Sequence, residues 1–93
     1  MAYNIKPLVS FESSLSKLDK NIARRVIGKI DVLAKNPQTI PYPMGNLPKS
    51  LLGLCKTRVG DWRVFFWVDH NAKEIILYFV SHRNDIYKWL YRK

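Results

Sequence analysis

Between positions 56 and 87 the chain sets out a group of side chains suited to one kind of chemistry. Lys56 and Arg58 stand two apart, so an extended strand carries both on one face together with Leu54. Gly60-Asp61 is a two-residue turn signal followed closely by Arg63, so a tight hairpin returns a third cation beside the first two. Further on, Ser81, His82 and Arg83 close an apolar run, and Tyr87 follows Arg83 at the spacing of one helical turn. Guanidinium and ammonium groups grip non-bridging phosphate oxygens, an imidazole exchanges protons near neutrality, and a phenol orients or stacks on a base. Together they suit a phosphodiester. Each also has a plainer use, because polar sheet faces carry Lys and Arg and rim tyrosines cover apolar surface.

The elements that must position these residues follow from periodicity. Tyr3 and Ile5 alternate with polar neighbours up to Pro7, which predicts a short opening strand. Ser10 stands where an N-cap belongs, and Phe11, Leu15 and Leu18 mark one helix face. Asp19 caps a second predicted helix, with Ile22, Ala23, Val26, Ile27, Ile30, Leu33 and Ala34 as its apolar stripe and Lys20, Arg24, Arg25, Lys29 and Asp31 toward water. Asn36-Pro37 ends it, and the proline-rich stretch to Pro48 is a connecting loop. Three strand-like runs then form a meander: Leu51 to Arg58, Trp62 to Asp69, and Glu74 to Ser81, with His70 in the second turn. The last run is apolar on both faces, which predicts an inner strand covered on both sides. Asp85 to Lys93 reads as a closing helix with Ile86, Trp89 and Leu90 inward, and Trp62 and Trp67 are read as core. The fold class is therefore α+β: an antiparallel sheet of about four strands, an N-terminal helical hairpin and a short C-terminal helix.

Length and charge bound the rest. Ninety-three residues predict a single domain, 1–93, rather than a multidomain enzyme. Sixteen Lys and Arg against seven Asp and Glu leave a net charge of +9, so polyanions are the expected partners. Cys55 is the only cysteine, which excludes an internal disulfide and a cysteine-rich zinc site. There is no dinucleotide fingerprint, Walker loop or zinc-protease motif, and the acids are scattered, so no cofactor or metal is expected. No apolar run approaches the roughly 20 residues of a membrane span, and a soluble, cytoplasmic protein with no membrane partner is expected.

The segment GLCKTRVGDWRVFFWV, from Gly53 to Val68, followed by VSHRNDIY, from Val80 to Tyr87, resembles the RelE/ParE toxin superfamily, and the order of elements extends that resemblance over essentially the whole chain. The resemblance implies a toxin of a type II toxin–antitoxin system. On the RelE side it implies a ribosome-dependent endoribonuclease that cuts mRNA by metal-independent attack of a 2′-hydroxyl on the adjacent phosphate. The matching positions are Lys56 and Arg63 on the sheet and Arg83 and Tyr87 near the C-terminus, with His82 as a further proton carrier and Arg58 as a phosphate contact. Leu54 and Ser81 depart from the RelE pattern, which has a lysine and an arginine there. Arg24, Arg25, Lys29, Lys88, Arg92 and Lys93 supply further cations for RNA on a ribosome. The partners implied are mRNA and rRNA on the ribosome and a small, acidic, partly disordered antitoxin. The ParE branch implies inhibition of DNA gyrase instead, and a non-catalytic basic RNA-binding module is a third alternative.

Overall fold

The computed structural model describes residues 2–86 and 88. Strand β1 (Asn4–Pro7) leads into helices α1 (Val9–Ser16) and α2 (Lys20–Lys35), and strands β2 (Cys55–Val59), β3 (Trp62–Asp69) and β4 (Glu74–His82) follow after the loop. The sheet order is β1-β4-β3-β2. The meander β2-β3-β4 is antiparallel as expected, and β1 joins its far edge in parallel, Ile5 opposite Ile75.

Helix α2 buries Val26, Ile30, Leu33 and Ala34 against the sheet, where they meet Cys55, Val59, Val64, Phe66, Ile75, Leu77 and Val80. Ile27, expected in the same stripe, is instead 48% exposed and lines an open groove with Ile5 and Leu77. A second, smaller core covers the opposite face: Leu51, Leu54 and Phe65, flanked by Met44, Leu47, Trp67, Tyr78 and Ile86. This is the cover the doubly apolar strands require. The stretch before β2 wraps across the outer face rather than merely connecting two halves. Regular pairing accordingly starts at Cys55 rather than Leu51; Gly53 turns the chain with φ +87°, and Leu54 drops fully buried beneath the wrap.

Beyond Pro7, where β1 stops, helix α1 takes over the edge of β4. Leu8 N–H donates to Leu77 O at 2.9 Å, the Ser10 hydroxyl donates to Tyr78 O at 2.6 Å, and Val80 N–H donates to the Ser14 hydroxyl oxygen at 3.1 Å. Two serines at i, i+4 thus satisfy backbone groups that a neighbouring strand would otherwise pair. Ser10 is therefore not the N-cap its position suggested. The helix begins at Val9 after Leu8, and the hydroxyl is used by the strand. Asp19 does precede α2, but only its main-chain oxygen, accepting from Ala23 N–H at 2.9 Å, closes the first turn. Ser14→Ala should leave Val80 N–H buried and unpaired and lower stability by about 1–3 kcal/mol, measured by urea unfolding; a loss below about 0.5 kcal/mol would mean that the edge is solvated.

Candidate functional site

Alternation along β2 turns Cys55, Thr57 and Val59 toward the helices and leaves Lys56 and Arg58 exposed on the outer face. Arg58 pairs directly with Arg63 on β3, Arg63 pairs in turn with Ser81 on β4, and Lys56 sits opposite the buried Phe65, diagonal to Arg63. The sheet therefore brings Lys56, Arg58 and Arg63 together. Gly60 makes the hairpin possible: φ is +59° there, a left-handed conformation that costs other residues about 1–2 kcal/mol. The turn then holds Arg63, whose Nη1 donates to Gly60 O at 2.9 Å and Trp62 O at 3.0 Å. Its orientation is set before any ligand arrives.

Arg83 reaches the same turn through an irregularity. Val64 faces Val80 and Phe65 faces Phe79, but the next residue, Phe66, faces Leu77, so Tyr78 is an extra residue in β4. With Ile75 and Leu77 in the helix-side core, strict alternation would send Ser81 and Arg83 inward and His82 outward. The bulge at Tyr78 reverses that parity: Val80 enters the helix-side core, and Ser81 and Arg83 turn to the outer face. Arg83 N–H donates to Asp61 O at 2.8 Å, and its Nε lies 3.8 Å from Asp61 Oδ1, with most of the side chain in solvent.

His82 is carried to the helix side by the same reversal. Its ring meets Trp62 edge-on at 5.2 Å, in a cavity of about 390 Å³ that Ser14, Lys17 and Leu18 also line. Its Nδ1 accepts from Asn84 N–H at 3.2 Å, which caps the turn Arg83–Asp85 and leaves the proton of the neutral ring on Nε2. The structure thus separates His82 from Lys56, Arg58 and Arg63 on the outer face and places it in a cavity that Lys88 also lines. Leu54 is fully buried beside Phe65, and Ser81 is buried between strands, donating to His82 O at 3.3 Å, so both departures from the RelE pattern are packed positions.

The remaining cations divide into two sets. Arg25 lies over the β2–β3 turn, its guanidinium 3.2 Å from where a side chain on Gly60 would begin. Lys29, one helical turn on, shares that flank, whereas Arg24 faces the groove of Ile5 and Ile27 on the other flank. Lys88 pairs with Asp85 at 3.2 Å. Tyr87, Arg92 and Lys93, with Trp89 and Leu90 of the predicted closing helix, lie outside the described residues. Sequence reasoning missed the bulge and the approach of Arg25 to Gly60. Neither has a local signal, although a glycine at a hairpin tip does announce that something comes close. Among the described residues no three His, Cys, Asp or Glu side chains gather.

Cys55 lies under this face, 2% exposed, its thiol directed at Gly53 O 3.6 Å away, and burial raises its pKa. The folded state favours the neutral thiol, so this contribution to stability is complete below the unfolded thiol's pKa and is lost as pH rises through the folded one. Iodoacetamide at pH 8 should modify Cys55 at least tenfold more slowly in the native protein than in urea. Equal rates would contradict its burial.

A mixed four-stranded sheet with a helical hairpin on one face and arginines gathered at the β2–β3 turn defines a class: the RelE/ParE toxins. A family model described as the ParE toxin of the type II toxin–antitoxin system parDE matches residues 5–87, and the chain belongs to this family, as the toxin of a type II toxin–antitoxin system. Among solved structures, the RelBE2 toxin–antitoxin complex of Mycobacterium tuberculosis matches with a TM-score of 0.75 at 21% identity, covering 89% of this chain and 100% of that one. The archaeal RelE–RelB complex of Pyrococcus horikoshii matches with a TM-score of 0.68 at 26% identity, covering 89% and 97%. An arginine-to-alanine double variant of E. coli toxin RelE in the free state matches with a TM-score of 0.74 at 14% identity, covering 98% and 96%. A search of curated proteins finds no match.

Proposed function

We propose that this toxin cleaves mRNA on the ribosome, and that the outer sheet face is where the phosphodiester binds. The observation that carries the reading is the convergence of Arg58, Arg63 and Arg83 on one turn where, among the described residues, Asp61 is the one carboxylate between them. Attack of a 2′-hydroxyl on its neighbouring phosphate forms an O2′–P bond, breaks the P–O5′ bond and gathers negative charge on the phosphorane oxygens. Arg63, held by two carbonyls, and Arg83, free to swing from Asp61, stabilise that charge. Lys56, on the same face, protonates the departing 5′-oxygen, and the proton of the attacking hydroxyl passes to solvent. Tyr87, by its position in the motif, orients the base. The ribosome supplies the strand geometry, which makes attack effectively intramolecular. His82 serves as a cap in this scheme rather than as the base.

The toxin acts in the cytoplasm and is neutralised by an acidic antitoxin; RelB antitoxins accompany the toxins in the Mycobacterium and Pyrococcus complexes, and the +9 charge suits an acidic partner. No helix among the described residues is long and apolar enough to cross a membrane. One observation favours a second reading, inhibition of DNA gyrase: the matching family model is that of the ParE toxin. Primer extension on a defined mRNA, with and without ribosomes, run beside a gyrase supercoiling assay, separates them. The first reading expects cuts within codons on ribosomes only and unimpaired supercoiling. Loss of supercoiling with intact mRNA would replace it with the second.

A further inference from the structure

We infer that Arg25 belongs to the RNA site, as a phosphate contact that closes the β2–β3 turn from the helix side. The inference rests on the RNA reading above and extends the site from the outer face of the sheet over Gly60 to helix α2. Arg25 is exposed and lies against the turn, its guanidinium nitrogens 3.2 and 3.5 Å from the position of a Gly60 Cβ. Arg63 holds the same residue from the strand side through Gly60 O, and Arg83 holds Asp61 through its own amide. Three guanidinium groups from three elements thus surround two residues. Among the described residues, the carboxylate at this turn is Asp61, which pairs with Arg83; Arg25, Arg58 and Arg63 have no ion pair there. Arg58 and Arg63 also face each other directly across the hairpin, an arrangement of like charges that weakens the sheet. An anion at the tip offsets that repulsion, and an RNA backbone crossing the glycine meets cations on both sides of it. Lys29, one turn along the same flank, continues the track. Arg24 does not, because its flank faces the apolar groove beside β1.

The test measures binding of a fluorescent 12-nucleotide single-stranded RNA to the full chain across a salt series, for the parent, Arg25→Ala, Arg25→Lys, Arg24→Ala and Arg63→Ala, each checked for an unchanged melting temperature. Removal of one phosphate contact reduces the slope of log K against log salt by about 0.7 and weakens binding roughly tenfold. Arg25→Ala is expected to show both effects, Arg25→Lys to restore the slope, and Arg24→Ala to lose clearly less of each than Arg25→Ala. If Arg25→Ala binds with the parent's affinity and slope while Arg63→Ala is impaired, Arg25 is outside the site and the RNA reading stands. Equal losses in Arg24→Ala and Arg25→Ala would reduce both to diffuse charge and overturn the assignment. A parent that does not bind this RNA overturns the assignment of Arg25, and one that also leaves ribosome-bound mRNA intact overturns the RNA reading with it.

Discussion

Arg83→Ala should slow single-turnover cleavage of ribosome-bound mRNA by about 10²–10³-fold, and Arg63→Ala by a comparable factor. In the proposed mechanism both groups contact the phosphate and meet further charge as the phosphorane forms, so their loss falls more on the rate of the chemical step than on binding. The two differ in how they are held. Arg63 is fixed by carbonyls of its own turn, whereas Arg83 is tethered by its amide and lies 3.8 Å from the Asp61 carboxylate. Lysine should therefore rescue position 83 in part and position 63 little, because an ammonium reproduces the charge but not a planar group that gives Nη1 to two carbonyls and still offers the N–H groups of Nε and Nη2. His82→Ala should cut at close to the parent's rate. A change of less than about fivefold in both arginine variants, against the 10² or more expected of an oxyanion donor, would place the reaction elsewhere.

Phe65→Ala is expected to cost about 3–5 kcal/mol. Domains of this size hold roughly 0.05–0.15 kcal/mol per residue, so the variant would lose much of its total stability. Phe65 is completely buried in the small outer core and lies opposite Lys56, two residues from Arg63 along the strand. It is the floor on which the cationic face stands. Urea unfolding should show a much lower midpoint, and the folded fraction that remains should bind RNA with a flatter salt dependence as the patch loosens. A loss under 1 kcal/mol would mean that the loop covering this face contributes little to the fold, contrary to the packing of Leu51 and Leu54 on it.

Much of this architecture was legible because strong periodicity and unambiguous punctuation coincided. Val26, Ile30 and Leu33 mark the buried face of α2, Asn36-Pro37 its end, and Gly60-Asp61 a hairpin whose register brings Arg58 against Arg63. Ile27 failed the same reading because a helix stripe is wider than the sheet it covers, and its edge hangs over a groove. Ser10 failed it because a hydroxyl near a helix start serves whichever backbone group is nearer, here Tyr78 O. Leu54 illustrates a different limit. Its side was readable, but not that a loop would bury it before the strand had begun. The bulge at Tyr78 is the costliest gap. Ile75 to Val80 is apolar at every position, so an inserted residue leaves no break in the pattern, yet it decides that Arg83 and not His82 shares a face with Arg63. A run hydrophobic on both faces cannot report its own parity.

The most direct measurement uses two mRNAs that differ by one oxygen: the parent message, and one with a single 2′-deoxynucleotide on the 5′ side of the mapped cut. Ribosomes stalled on each are treated with the toxin, and the products are resolved by length and by their terminal phosphate. The expected result is complete loss of that cut in the deoxy message, with the parent message yielding a 2′,3′-cyclic phosphate and a 5′-hydroxyl. Cleavage at the same bond without the 2′-oxygen, or no cleavage of either message alongside inhibited gyrase, would contradict the account.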